Sequence, residues 1–283
     1  MAEMFISIYL SGLLTLVPVF CSLWPISVCQ KDASIIDPVW PVGSLVAVTV
    51  YFLQTDGYSG RKAMIWCMVA IWAIRMAFFL LYRNWGQPED HRYQNFRKHY
   101  GAQYWWISLF QVFLLQSLLC WVVSAPLLSA QISRYPSYLT ALDCFGVFLW
   151  AFGLTWESIA DWQLFKFKKN PNNKGKICSD GLWNLCRHPN YFGEAVVAWG
   201  YWCCSAATGE RYWTIFGPAV MTFLLIKVSG VALLEATLMK RRGYQEYADK
   251  VPAFLPVRIH FIPILFGVLA VGITVSVLPF RVL

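Results

Sequence analysis

The stretch GLWNLCRHPNYFGEAVVAWG, from Gly181 to Gly200, sets Arg187, His188, Asn190, Tyr191 and Glu194 within eight residues, directly ahead of an apolar run. Polar side chains bordering a run that lies in lipid are costly unless they have partners or a task. Arginine offers charge-assisted hydrogen bonds to phosphates. Asn190, Tyr191 and Glu194 can hold amide, ribose or ring groups by ordinary hydrogen bonding. Asn190, Gly193 and Glu194 stand at i, i+3 and i+4, one face of a helix, where the glycine would let a ligand approach closely.

A second group precedes it. Glu157, Asp161, Leu164 and Lys168 are spaced by four, three and four, which stacks two carboxylates and a lysine on one helical face. Lys166 and Lys169 flank this stripe, and Pro171 ends the helix because proline cannot continue the hydrogen-bond ladder. The two groups bound one basic loop, so they predict a polar pocket for an anionic cofactor rich in hydrogen-bonding groups. A third segment, LLEATLMKRRGYQEYADKVPAFLP, carries Glu235, the run Lys240 to Arg242, then Tyr244 and Tyr247. It either meets anionic lipid at the membrane surface or closes over the cofactor. No G-x-G-x-x-G and no P-loop occurs, which removes the sequence basis for a Rossmann or NTPase reading.

The first half adds two polar places. Asp37 precedes Pro38 at the mouth of a short apolar run, and Arg75, Phe79 and Tyr82 share a face at i, i+4 and i+7. An arginine inside a span usually faces the bundle interior and pairs with something. Tyr82 is either an interfacial anchor or a proton donor. The spacing of Cys178, Cys186 and His188 fits no common zinc site, no metal is expected, and most of the nine cysteines read as buried, inert thiols.

The elements that must position these residues follow from composition. A chain with 58% hydrophobic and 13% charged residues is too apolar for a soluble domain. Apolar runs long enough to cross a bilayer lie near 6–24, 63–82, 106–128, 139–157, 214–234 and 261–280, with shorter ones near 39–53 and 192–208. The fold class expected is an all-α polytopic membrane protein, a bundle of about seven to eight transmembrane helices. It is one membrane domain over 1–283: N-terminal helices on the substrate side (1–138), a cofactor-binding half (139–258) and a terminal apolar helix (259–283). Sixteen of the 23 Lys and Arg fall in the loops after the first, third, fifth and seventh runs, which makes those loops cytosolic. The net charge of +8 is then mostly topology, and no nucleic-acid partner is needed to explain it.

Three motifs together resemble the steroid 5α-reductase and sterol reductase superfamily. They are D-x-Q-x-x-x-x-K-x-N-P from Asp161 to Pro171, L-W-x-x-x-R-H-P-N-Y-F-G-E from Leu182 to Glu194, and L-L-E…R-x-G-Y-x-x-Y…V-P-x-F-x-P from Leu233 to Pro256. The whole chain, with D-P-V-W at Asp37 and W-A-I-R…E-D-x-R-Y from Trp72 to Tyr93, looks most like the branch described as a steroid 5α-reductase-like domain of unknown function. The resemblance implies NADPH bound from the cytosol. Asp161, Lys168, Asn190, Tyr191 and Glu194 then match nucleotide-contacting positions, with Trp183, Arg187 and His188 beside them and Glu235 and Tyr244 in a C-terminal cofactor segment. Leu164 stands where sterol reductases carry a lysine, and Leu233 and Leu234 where they carry an arginine-aspartate pair.

The activity expected is NADPH-dependent reduction of a carbon–carbon double bond in a lipid, a steroid, sterol or related isoprenoid enone. Tyr82 and Asp37 are the candidates for polarising the substrate carbonyl. The alternative is an S-adenosylmethionine-dependent methyltransferase of the isoprenylcysteine or phospholipid type, which carries a similar R-H-P-x-Y-x-G and a similar tail; a sterol-binding protein without catalysis is a third. The expected location is an integral membrane protein among membrane lipids, in the endoplasmic reticulum of a eukaryote or the inner membrane of a bacterium.

Overall fold

The computed structural model describes residues 2–228 and 230–256, so the terminal apolar helix expected over 259–283 lies outside the described residues. Those described residues form helices, turns and loops and no strand. Five helical stretches are long and apolar enough to cross a membrane: Ala2–Gln30, Ser59–Asn84, His91–Ile132, Ala141–Lys169 and Tyr212–Leu238. The shorter apolar helix Val39–Gln54 adds to them. The polytopic, all-α expectation is met. The chain divides into two units, Met1–Tyr138 and Leu139–Leu283.

The first unit holds α1 (Ala2–Cys21), α2 (Leu23–Gln30), α3 (Val39–Gln54), α4 (Ser59–Asn84), α5 (His91–Tyr100), α6 (Tyr104–Ser108), α7 (Leu115–Val123) and α8 (Ala125–Ile132), with a π-helical stretch at Leu109–Leu114. Its core joins α1, α3 and α7. Tyr9 stacks on Trp121 at 4.3 Å, and each donates to the other's backbone carbonyl, at 2.9 and 2.7 Å. Tyr51, fully buried, shares a 2.8 Å hydrogen bond with Ser124. Such internal pairing is what polar groups between apolar helices require. Arg61 is also fully buried, and its guanidinium donates to the carbonyls of Pro136 and Tyr138, pinning the end of the unit to the first turn of α4. α5 is different in kind. It is a polar helix, capped by Asp90, whose carboxylate accepts from the Arg92 amide at 2.9 Å, and it lies where sequence reading places only a basic loop.

The second unit is built on α9 (Ala141–Lys169) and α10 (Pro189–Ala206), followed by α11 (Phe216–Phe223), a π-helical stretch at Leu224–Val228, α12 (Val231–Leu238) and α13 (Tyr244–Lys250). A capping box starts α9: the Thr140 hydroxyl accepts from the Asp143 amide at 3.2 Å, while the Asp143 carboxylate accepts from the Thr140 amide at 2.8 Å. Lys166, Lys168 and Lys169 occupy its last turn, where they complement the helix dipole, before Asn170 and Pro171 end it. Proline opens α10 at its first position, where a missing N–H costs nothing.

The two helices pack backbone to backbone. A methyl on Gly193 would sit 2.7 Å from the Glu157 amide, and one on Gly153 would sit 2.7 Å from the Gly193 carbonyl. Gly146 and Gly200 repeat the arrangement one heptad away on each helix, where a methyl on either would sit 2.8 Å from the other's carbonyl. Small residues at matched heptad positions allow this close approach between apolar helices. Gly193 therefore gives access to the α9 backbone, where sequence reading assigns the space to a ligand.

Candidate functional site

The α9–α10 contact carries the predicted carboxylate stripe inward. Gly146, Trp150, Gly153, Glu157 and Asp161 are the buried residues of α9 at spacings of three and four, so Glu157 and Asp161 face α10. Both are buried, at 1% and 5% exposure, unusual for carboxylates. Asn190, in the first turn of α10, donates from Nδ2 to Asp161 Oδ1 at 3.3 Å. The structure thus brings together the ends of the two sequence motifs. Glu194, one turn along, is half-buried, and Lys168 is exposed on the last turn of α9. The loop between the helices continues that basic rim with Lys174 and Lys176, both exposed.

This loop is held at its far end. Gly181, at φ +62°, makes a turn that an L side chain rarely adopts, and a methyl there would strike the Gln163 amide group at 2.4 Å. The close approach lets Gln163 Oε1 accept from the Leu182 amide at 3.0 Å. Trp183 is buried and donates its indole N–H to the Ala160 carbonyl at 3.1 Å, and its own carbonyl accepts from the Tyr247 hydroxyl. Trp183 is thus a wedge between α9 and α13, with Gln163 and Tyr247 as supports. Both supports lie inside the quoted motifs, at the Q of D-x-Q and the second Y of G-Y-x-x-Y, but spacing alone assigns them no role.

Arg187, His188, Glu235 and Tyr244 form a second cluster. Arg187 makes a fork to Glu235, Nε to Oε1 at 2.6 Å and Nη2 to Oε2 at 2.8 Å, and its Nη1 donates to the carbonyls of Ala248 and Val251 at 2.8 and 2.7 Å. The Arg187 amide donates to the Pro252 carbonyl at 2.9 Å. One residue therefore ties the start of α10 to α12, α13 and the segment after them. His188 is buried, with Nε2 3.2 Å from Glu235 Oε1, so the proton sits on Nε2 when the ring is neutral and the carboxylate charged. Burial holds His188 below its ordinary pKa, with Glu235 pulling the other way. Tyr191 stacks parallel on the His188 ring at 5.6 Å, and its ring edge lies against Gly230. Tyr244 is buried beside the Arg187–Glu235 pair, and burial pushes its hydroxyl up to about 12, so it stays a neutral donor.

In the first unit the candidate Asp37 sits at the start of α3. Its two oxygens accept from Arg92 Nη2 and from the Tyr93 hydroxyl, each at 2.7 Å. Tyr93 is buried at 4% exposure, while Tyr82, near the end of α4, is 64% exposed. The phenol bonded to Asp37 is thus Tyr93, from the E-D-x-R-Y motif on α5. Among the described residues no group of three or more His, Cys, Asp or Glu could hold a metal ion.

The model of a family described as proteins of unknown function, DUF1295, matches residues 23–251. The chain belongs to the DUF1295 family. This family is related to steroid 5α-reductase-like proteins. The match takes in α2 to α13, and with them the side chains of the two clusters above. This DUF1295 chain is 26% identical over 265 residues to an uncharacterised protein of Schizosaccharomyces pombe, covering 83% of this chain and 75% of the relative. It is also 35% identical over 101 residues to a protein of Ustilaginoidea virens named as a probable O-methyltransferase, covering 35% of this chain and 34% of that one. No solved structure matches it.

Proposed function

We propose that this protein is an NADPH-dependent membrane reductase that saturates a carbon–carbon double bond in a lipid enone, a steroid, sterol or related isoprenoid. The observation that carries the reading is the Asn190–Asp161 hydrogen bond of 3.3 Å, set beneath an exposed rim of lysines. The donor set fits a ligand of two characters. The carboxylates of Asp161 and Glu194 and the amide of Asn190 suit hydroxyl and amide groups, whereas Lys166, Lys168, Lys169, Lys174 and Lys176 suit phosphates. The bound cofactor would supply hydride to one alkene carbon. The chain's own residues would hold and orient it: Asp161, Asn190 and Glu194 from the helix faces, Lys168 at the phosphates. Trp183, Arg187, His188, Glu235 and Tyr244 keep the loop and tail closed around that place.

A substrate enone also needs its carbonyl polarised by a donor that stays protonated at neutral pH, which a phenol does. Tyr93 is our candidate for that donor: its one hydroxyl proton goes to Asp37 at 2.7 Å here and would turn to the carbonyl oxygen, leaving Asp37 to Arg92. A second reading, transfer of a methyl group from S-adenosylmethionine, draws support from the likeness to the probable O-methyltransferase. That cofactor carries one carboxylate and no phosphate, which leaves most of the lysine rim without a task. The reductase reading predicts that Asn190→Ala weakens NADPH binding roughly tenfold or more, since the bound cofactor would lose the amide's hydrogen bond and keep a buried group unpaired at about 1–3 kcal/mol. Fluorescence titration of the purified protein measures it. Unchanged NADPH affinity in a folded Asn190→Ala protein overturns the assignment.

A further inference from the structure

A cavity of about 230 Å³ opens in the first unit where the end of α2 meets the turn between α5 and α6. It has many times the space one water needs. Lys31 and Arg97 line it together with Ser27, Tyr104, Trp105 and Ser108, and none of its lining residues is acidic. Lys31 is exposed and held in place by its backbone: at φ +54° it is the left-handed cap that closes α2, its amide donating back to Ser27 and Val28. Arg97 is fixed from behind. Its Nε and Nη2 are committed to Glu89 at 3.1 and 2.8 Å, which leaves Nη1 outside that fork, and its guanidinium lies 4.8 Å from the centre of the Tyr104 ring. The nearby acids face other partners. Glu89 accepts from the Ala33 amide at 2.9 Å as well as from Arg97, and Asp32 accepts from the amide and hydroxyl of Ser34.

The informative group is Tyr104. It lines the cavity and is 2% exposed, and its hydroxyl is buried with no hydrogen-bond partner. An orphaned buried hydroxyl costs about 1–3 kcal/mol, so a partner is expected for it. The cavity also has a definite setting. The apolar stretch Ala2–Gln30 ends one residue before Lys31, and the apolar part of His91–Ile132 begins at Tyr104. Trp24 donates to the Trp105 carbonyl at 2.7 Å and stacks on the Trp105 ring at 6.1 Å, an aromatic pair of the kind found at membrane–water interfaces.

We propose that this cavity is a binding site for a phosphate group, held by Lys31, Arg97 and the Tyr104 hydroxyl at the membrane surface. Two cations lining one space, with a neutral, unpartnered donor buried beside it, suit an anion with several oxygens better than a single-point ligand. The group has two sources, the headgroup of an anionic phospholipid and free inorganic phosphate. The setting favours the headgroup, whose chains would run past Trp105 into the apolar layer. The site lies in the other unit from the proposed cofactor pocket and stands whether or not that reading holds.

The test is thermal unfolding of the full chain in a neutral detergent. The additives are dioctanoyl phosphatidic acid, dioctanoylglycerol or inorganic phosphate, applied to wild type and to Lys31→Gln and Tyr104→Phe. Lys31 is exposed and Tyr104 makes no hydrogen bond, so both variants retain the fold. Phosphatidic acid raises the melting temperature of wild type, and each variant needs roughly tenfold more of it for the same rise. If free phosphate gives the same shift at the same concentration, the ligand is the soluble anion; if it gives none, the ligand is the lipid. Both results support the site. Equal shifts in wild type and both variants, equal shifts with dioctanoylglycerol, or no shift with either phosphate source overturn it.

Discussion

Arg187 is the residue whose replacement separates a cofactor-binding role from a structural one. Truncation to alanine removes two hydrogen bonds to Glu235 and two to the carbonyls of Ala248 and Val251. Glu235 is then left with His188 as its partner among these groups, at 3.2 Å, and the side chains of the lost pair are only 10% and 15% exposed. Breaking a buried, hydrogen-bonded ion pair from one side costs about 3–5 kcal/mol. The loss falls on the attachment of α12 and α13, so Arg187→Ala should open that segment in the absence of any nucleotide. Trypsin reads the opening at Lys240, Arg241 and Arg242, which lie in the exposed turn between the two helices. Cleavage there should accelerate by two orders of magnitude or more, since about 1.4 kcal/mol is a factor of ten in the open population. Arg187→Lys should recover little, because a point charge cannot serve both a carboxylate fork and two carbonyls. An Arg187→Ala protein that resists trypsin and melts like wild type without nucleotide refutes the clasp and returns Arg187 to the cofactor.

Two further outcomes follow from the same clusters. His188 is buried with a lowered pKa, so the unfolded chain binds more protons than the folded one between the lowered value and about 6.5. Its contribution is complete above about 6.5 and is lost as pH falls through the folded value, at no more than about 1.4 kcal/mol per pH unit; His188→Gln should flatten that limb of the melting-temperature profile, and an unchanged limb argues that other groups set it. Tyr93→Phe should retain NADPH binding and lower turnover of any accepted enone by about 10²–10⁴-fold, while Tyr82→Phe stays near wild type. The opposite ranking restores Tyr82 as the proton donor.

Periodicity and composition made the α9 stripe legible, because Glu157, Asp161 and Lys168 interrupt an apolar helix at helical spacing and end at a proline. The start of α10 was equally plain from Pro189 and the apolar run after it. Gly193 is ambiguous in sequence for a definite reason. A glycine in a polar cluster says that something comes close, but the same absence of a side chain admits a ligand or a neighbouring backbone, and here α9 fills the space. The Arg187 clasp joins residues more than 45 positions apart, and a one-dimensional pattern does not encode that distance. α5 was hidden by its own chemistry: HRYQNFRKHY is so polar that it reads as a loop, and with it went the bond from Tyr93 to Asp37. The Lys31 and Tyr104 cavity left no trace in spacing, because it depends on where two chain segments come to rest.

The central claim is that the second unit binds NADPH. It is tested most directly by thermal unfolding of the purified full chain with NADPH, NADH and S-adenosylmethionine, each titrated separately. NADPH at about a hundred times its dissociation constant should add about 2.7 kcal/mol and raise the melting temperature by several degrees. NADH should give a smaller rise at the same concentration, since it lacks the phosphate that Lys168 would hold, and S-adenosylmethionine should give none. A rise with S-adenosylmethionine and none with either nicotinamide nucleotide contradicts the account and favours the methyltransferase reading.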